Sequence, residues 1–210
     1  LDKGAVPSPR TMTLGLDADP RIEEQLPNYI KIVKAEVDDM VKAGANEIQL
    51  DAPAEAMALA NGTRQATDLV DSLISPFSGL EGITRTIHFC LGDISRKPGT
   101  EVQNLVSLIP LFQALDGFID RAHIECSHAG QWSDRALLAE IPPSIEIVAG
   151  IADVKREPQS VSELSDRISA LLEVVDEDRL LLSTSCGCGR VPHDEAIRLL
   201  RNLVKAAGGE

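Results

Sequence analysis

The chain has 210 residues, 43% of them hydrophobic, enough for one sizeable core and read here as a single domain spanning residues 1–210. Lys and Arg number 20 against 33 Asp and Glu, a formal net charge of -13 that excludes a nucleic acid or an anionic membrane as the natural partner. One Trp and one Tyr make no stacking platform, no apolar run reaches the roughly 18 residues of a membrane helix, and Leu1-Asp2-Lys3-Gly4 resembles no targeting peptide, so a cytoplasmic location is expected.

In chain order, Gly4, Pro7 and Pro9 mark irregular chain, Thr11 to Leu14 reads as a short apolar strand, and residues 15–20 read as a polar turn. From Arg21 to Ala43, Ile22, Leu26, Ile30, Val33, Val37, Met40 and Val41 recur at helical spacing before a glycine stop at Gly44. The strand Glu47 to Asp51 follows, then Ala54 to Asn61 as a short helix or loop, and a helix over Thr63 to Ile74. Ile83 to Cys90 alternates as a strand, with a polar loop through Gly92, Pro98 and Gly99 behind it. Glu101 to Leu115 has helical period, although Pro110 should kink or break it. Strands over Phe118 to Glu125, Ile145 to Ile151 and Arg179 to Cys186 alternate with helices over Arg135 to Glu140, Ser160 to Val175 and His193 to Ala207.

Strands and helices in alternation predict a parallel sheet with crossover helices. Asp51, His88 with Cys90, Glu125, Asp153 and Cys186 stand at the C-terminal ends of different strands. A (β/α)8 TIM-type barrel gathers such ends at one mouth, where its sites are built, whereas a doubly wound sheet concentrates function at one switch point. The α/β barrel is therefore expected, with the first two strands missing, since six strands are legible where eight are needed. Either the chain is a fragment, or a homo-oligomer or partner chain completes the barrel, or the barrel is open.

His88 and Cys90, at i and i+2 of a strand, point to one face and can grip one ion. An imidazole beside a thiolate suits zinc better than calcium or magnesium. Glu125 and Cys186 complete a tetrahedral donor set, and donors spread over several strands suggest a catalytic ion. The plain alternatives are a half-buried His and Cys pair without metal, a solvated Glu125, and an Asp51 that only caps the turn before Pro53. Cys126 and Cys188 read as passive neighbours, His123 as a packed residue below Glu125, and His128 as a residue that can edge the pocket. His193, near the N-cap of the last helix, is expected at the surface.

These residues also carry a family resemblance. His88-x-Cys90, Ile124-Glu125 and Ser185-Cys186-Gly187 resemble, in order, the zinc-ligand motifs of the catalytic barrel of cobalamin-independent methionine synthase. Ile48-Gln-Leu-Asp51-Ala-Pro53 is similar to that family's Ile-Gln-Ile-Asp-Glu-Pro stretch, whose first acid binds the homocysteine amino group. The resemblance implies zinc ligation by His88, Cys90, Glu125 and Cys186, with Asp51 as a substrate contact; His128, from its place in the loop after the strand, is expected as a second substrate contact at the pocket edge. Asp153 and Lys155 then take the catalytic positions. Folate-using synthases carry Asp-Ile-His-Ser where this chain has Asp153-Val154-Lys155-Arg156, closer to short single-barrel relatives, so Lys155 replaces a donor-side histidine.

The expected function is a zinc-dependent methyltransferase that holds homocysteine or a similar thiol as a zinc thiolate for attack on a methyl donor, with methionine as product. Two alternatives remain open, an alkyltransferase acting on another thiol such as coenzyme M, and a zinc-binding accessory protein of the same fold without turnover. A uroporphyrinogen decarboxylase-like barrel would leave His88, Cys90 and Cys186 unexplained.

Overall fold

A computed structural model describes residues 2–13, 21–92, 96–97, 99–102 and 104–209. Six parallel strands form one sheet: β1 (Lys3–Pro7), β2 (Glu47–Asp51), β3 (Thr84–Phe89), β4 (Arg121–Glu125), β5 (Glu146–Ala152) and β6 (Leu180–Thr184). Between and after them run the helices α1 (Ile22–Lys42), α2 (Pro53–Ala60), α3 (Val70–Ile74), α4 (Ile109–Ala114), α5 (Ala129–Ser133), α6 (Val161–Leu172) and α7 (His193–Ala206).

Spatial order equals chain order from β1 to β6. Each crossover therefore steps to the adjacent strand in the same direction, as in a barrel, and no switch point occurs where the order reverses. Residues of both edge strands, Lys3, Ala5 and Pro7 from β1 and Ser183 and Thr184 from β6, line one cavity of about 690 Å³. The sheet is thus a curled six-stranded segment of the TIM-barrel type.

The apolar positions decide which side of each strand meets the helices. Gly4 and Val6 of β1 are buried while Lys3, Ala5 and Pro7 are exposed toward the cavity, the period-two pattern of a half-covered strand. Gly4 lets α1 lie close, because a Cβ there would sit 2.6 Å from Met40 Sδ and 3.2 Å from Ile48 Cδ1. Val33 and Val37 of α1 and Ile48, Leu50, Ile87, Phe89, Ile124, Ile147, Ala149 and Ile151 of the strands then form the core between sheet and helices. Phe89 meets Phe112 of α4 edge-on with ring centres 5.1 Å apart. On the inner side, a charged layer closes the lower end. Glu47 binds Lys3 at 2.9 Å and Arg121 at 2.7 Å, and Arg121 reaches Glu146 at 2.6 Å. Burial pushes the Glu47 carboxyl up, but Lys3, Thr86 and Arg121 together hold it below its ordinary value.

Several expected elements are corrected. Thr11 to Thr13 form a single 3-10 turn, and the first strand is Lys3–Pro7, paired residue for residue with β2. Three Gly and Pro residues over 4–9 looked irregular, but an edge strand tolerates Pro because one side of its backbone has no ladder to join. Leu14 and the turn over 15–20 lie outside the described residues. The helix expected from Glu101 begins only at Ile109, with Pro110 in its first turn, where a missing N–H leaves no hydrogen bond unmade. Thr63 to Ile74 divides into a 3-10 turn and α3, and Arg135–Glu140 is 3-10 helix. Pro98 of the loop after β3 lies outside the described residues. Among the described residues no helix is long and apolar enough to cross a membrane.

Candidate metal centre

β3 delivers His88 one residue before its end and Cys90 one residue after it, both buried. β6 ends at Thr184, and Cys186 follows two residues later, half-buried. Their donor atoms all lie within 4.8 Å of one another. Cys186 Sγ and Cys90 Sγ are 3.7 Å apart. A Zn–S bond of about 2.3 Å at the tetrahedral angle sets two sulfurs roughly 3.8 Å apart, so this spacing is that of one edge of a zinc coordination tetrahedron. The hydrogen bond with Cys186, then burial, hold the Cys90 thiol up, while Cys186, beside Cys90 and facing His88 and Lys155, is held well below an ordinary thiol.

The imidazole is prepared in a complementary way. His88 Nδ1 lies 3.3 Å from the His123 carbonyl oxygen, which assigns the ring proton to Nδ1. The Nε2 lone pair is then free, and Nε2 is buried without any hydrogen-bond partner. A buried nitrogen left so costs free energy unless something binds it. His123, a layer deeper, stacks on His88 with ring centres 4.1 Å apart. Its Nε2 donates to the Thr184 carbonyl at 2.9 Å. Burial, followed by His88, pushes the His123 ring down to about 3, so it stays neutral and serves as a fixed wedge between β3 and β6. The three donors, the sulfur spacing and the unpartnered nitrogen fit a zinc ion.

Glu125, the last residue of β4, is buried beside this group but stands outside the three-residue cluster. One of its oxygens accepts from the Leu91 N–H at 2.9 Å and the other is ion-paired with Lys155 Nζ. Lys155 and Asp153 belong to the turn after β5. Asp153 Oδ1 accepts from the Lys155 N–H at 2.8 Å, Gln159 Oε1 accepts from the Asp153 N–H at 2.6 Å, and Ser185 Oγ accepts from the Val154 N–H at 3.2 Å. Asp153 therefore shapes the turn that aims Lys155. Burial pushes the Lys155 ammonium down, but Glu125 more than offsets it and the net shift is upward.

Asp51, half-buried at the end of β2, lines the cavity and accepts from Gln49 Nε2 at 2.7 Å. His128 occupies the N-cap position of α5 without a capping bond from its side chain, and it is not among the cavity-lining residues. Cys126 is fully buried and pushed up to about 12 by that burial, an inert thiol. Burial also raises Cys188, which lies outside the three-residue cluster. Sequence reasoning passed over Gln49, Thr11 and Arg190 as cavity residues. Gln49 was findable, because it lies two residues before Asp51 on the same face of the strand. Thr11, in the short 3-10 turn after β1, and Arg190, in the turn before α7, lie on stretches whose paths no periodicity encodes.

The sequence matches the family described as cobalamin-independent synthase, catalytic domain, over residues 3–209. A methionine synthase of Methanothermobacter marburgensis is 26% identical over 216 residues, covering 98% of this chain and 62% of the relative. A 5-methyltetrahydropteroyltriglutamate--homocysteine methyltransferase of Salinibacter ruber is 24% identical over 186 residues, covering 88% of this chain and 22% of the relative. Among solved structures, a B12-independent methionine synthase from Shewanella sp. W3-18-1 in complex with selenomethionine aligns with a TM-score of 0.79 at 24% identity, over 98% of this chain and 61% of that one. That likeness establishes the fold. The chain spans 62% of the length of the M. marburgensis relative, and the six strands among the described residues fall in the region the family model matches.

Proposed function

We propose that this chain, which belongs to the cobalamin-independent methionine synthase catalytic-domain family, serves a zinc-dependent transfer of a methyl group to the sulfur of homocysteine or a similar small thiol. The observation that carries the reading is the cluster of His88, Cys90 and Cys186 at the barrel mouth, with two sulfurs 3.7 Å apart and His88 Nε2 buried and unpartnered. When bound there, zinc lowers the proton affinity of a substrate thiol and keeps it nucleophilic near neutral pH.

The rest of the chemistry belongs to the protein. His88, Cys90 and Cys186 are the donors, with Glu125 as the fourth. His123 fixes the tautomer and the tilt of His88. Asp51, facing the cavity two residues from the β2 glutamine that binds it, takes the ammonium group of an amino-acid thiol. In the transfer itself a sulfur-carbon bond forms as the bond between donor and methyl carbon breaks, and the donor leaves with the electron pair. Orientation of the two reactants in line is the main contribution of the cavity walls. The donor side differs from folate-using synthases because Lys155 stands in the place of their histidine. That replacement counts against methyltetrahydrofolate as the donor, and the second reading of the same site is an alkyl transfer to a different thiol, such as coenzyme M.

The test is metal analysis followed by thiol titration. One zinc per chain whose X-ray absorption spectrum gains a sulfur neighbour on addition of homocysteine is the expected result. Zinc that ignores thiols would leave a zinc-binding accessory protein as the better description. Product formation from methylfolate, methylcobalamin or methylated thiols, screened with the zinc-loaded protein and with any barrel-completing partner, then identifies the donor.

A further inference from the structure

Behind the wall formed by the three donors lies a second, sealed charge pair. Side-chain exposure is 3% for Lys155 and 2% for Glu125, and neither residue lines the cavity that His88, Cys90 and Cys186 open onto. The Glu125 carboxylate is tethered next to Cys90, since its Oε2 accepts from the N–H of Leu91, the following residue. The Lys155 ammonium faces Glu125, Cys186 and Cys90, so it sits in the negative field that the donor set makes. The turn that carries it is fixed, because Gln159, Ser185 and Asp153 side chains accept from the N–H groups of Asp153, Val154 and Lys155 in turn, so any change of position must come from the long side chain.

We propose that Lys155 is an internal counter-cation, which neutralises Glu125 while the donor set holds no ion and is displaced from it into the cavity when a divalent metal takes the carboxylate. The proposal rests on the metal reading of the site given above. The physical reason is competition. A buried carboxylate without a partner is costly, so the metal-free chain needs a cation there, and a lysine on a flexible stem supplies one. A divalent ion and an ammonium group cannot share the same oxygen without strong repulsion in a poorly solvated site. Displacement converts a stabilising group into a positive charge at the mouth, available to an anionic substrate group or to a leaving group on the donor. It also couples metal loading to the assembly of the substrate site, because the ammonium arrives only once the ion has.

Two measurements on the full chain test this. Zinc affinity, read by competition with a chromophoric chelator, is expected to be at least tenfold tighter in Lys155→Met than in the wild type, while the metal-free variant melts at lower temperature. Lys155→Gln, which still donates a hydrogen bond to Glu125, guards against a variant that fails to fold and is expected to tighten zinc binding in the same direction. Pulse acetylation of the wild type, read by mass spectrometry, is expected to modify Lys155 only after zinc is added. Zinc affinity at or below the wild-type value in both variants overturns the proposal, as does labelling of Lys155 that zinc leaves unchanged. Failure of the wild type itself to bind zinc overturns the metal reading as well, so the two failures are distinguishable.

Discussion

Gly150 offers the sharpest test of how the barrel spaces its donors. It pairs with Glu125 on one side and with Ser183 on the other, in β5, between β4, which ends in Glu125, and β6, which leads into Cys186. A Cβ at this position would stand 2.8 Å from the Thr184 carbonyl oxygen, 2.9 Å from the Ile124 carbonyl oxygen and 2.9 Å from Ser185 Cα. Every one of those atoms is backbone, so no rotamer change relieves them. Ordinary contact begins at 3.4 Å, and reaching it requires β4 and β6 each to withdraw by about half an ångström. Gly150→Ala should therefore cost about 1–3 kcal/mol in urea unfolding, the range for overpacked interiors. The same withdrawal moves Thr184, the acceptor of His123, and the segment that carries Cys186. Zinc affinity should fall about tenfold, as for changes next to metal ligands. A variant as stable as the wild type would refute the steric argument. One that loses stability but keeps its zinc affinity would show that the donors are positioned independently of strand spacing.

Glu55, fully buried, receives hydrogen bonds from Ser8 Oγ at 2.7 and 2.9 Å, and burial raises its carboxyl above 4.5. The folded state then holds a proton that the unfolded chain releases above pH 4.5, so this contribution is full below that value and declines as pH rises toward the folded value, by up to about 1.4 kcal/mol per pH unit. Urea midpoints of wild type and Glu55→Gln at pH 4.5, 5.5 and 6.5 should diverge with that sign, and parallel lines would count against it. Cys186→Ser should lower zinc content sharply, because a hydroxyl rarely ionises, whereas Cys188→Ser should leave it nearly unchanged; full zinc retention in the first variant would remove Cys186 from the site. Asp51→Asn should raise the concentration of homocysteine needed to perturb the zinc spectrum by about tenfold, a charge-assisted hydrogen bond being worth roughly 1.5–3 kcal/mol. An unchanged titration would place the amino group elsewhere.

The elements were legible where the side-chain period was strong. The long apolar stripe of α1 and the alternating β3 follow from spacing alone. Pro110 marks a break in the helical period, and α4 starts one residue before it, with Pro110 in the first turn. β1 was misread because Lys3-Gly-Ala-Val-Pro carries too few apolar side chains to announce a strand, and only the ladder offered by β2 makes it one. His128 was grouped with the pocket because it follows β4 closely, yet the chain turns into α5 and takes it away from the cavity lining.

What the amino-acid order determined alone is the alternation of strand and helix, and with it a set of polar residues at successive strand ends. Parallel crossovers put all such ends on one side, so a shared mouth follows from local information. Which side chains meet there was decided in three dimensions. Cys90 and Cys186 are 96 residues apart and touch because the sheet curls, while Glu125 turns to Lys155, a residue no periodicity connects with it. Distances between atoms on different strands depend on curvature, packing and the balance of buried charge, and those are properties of the whole fold.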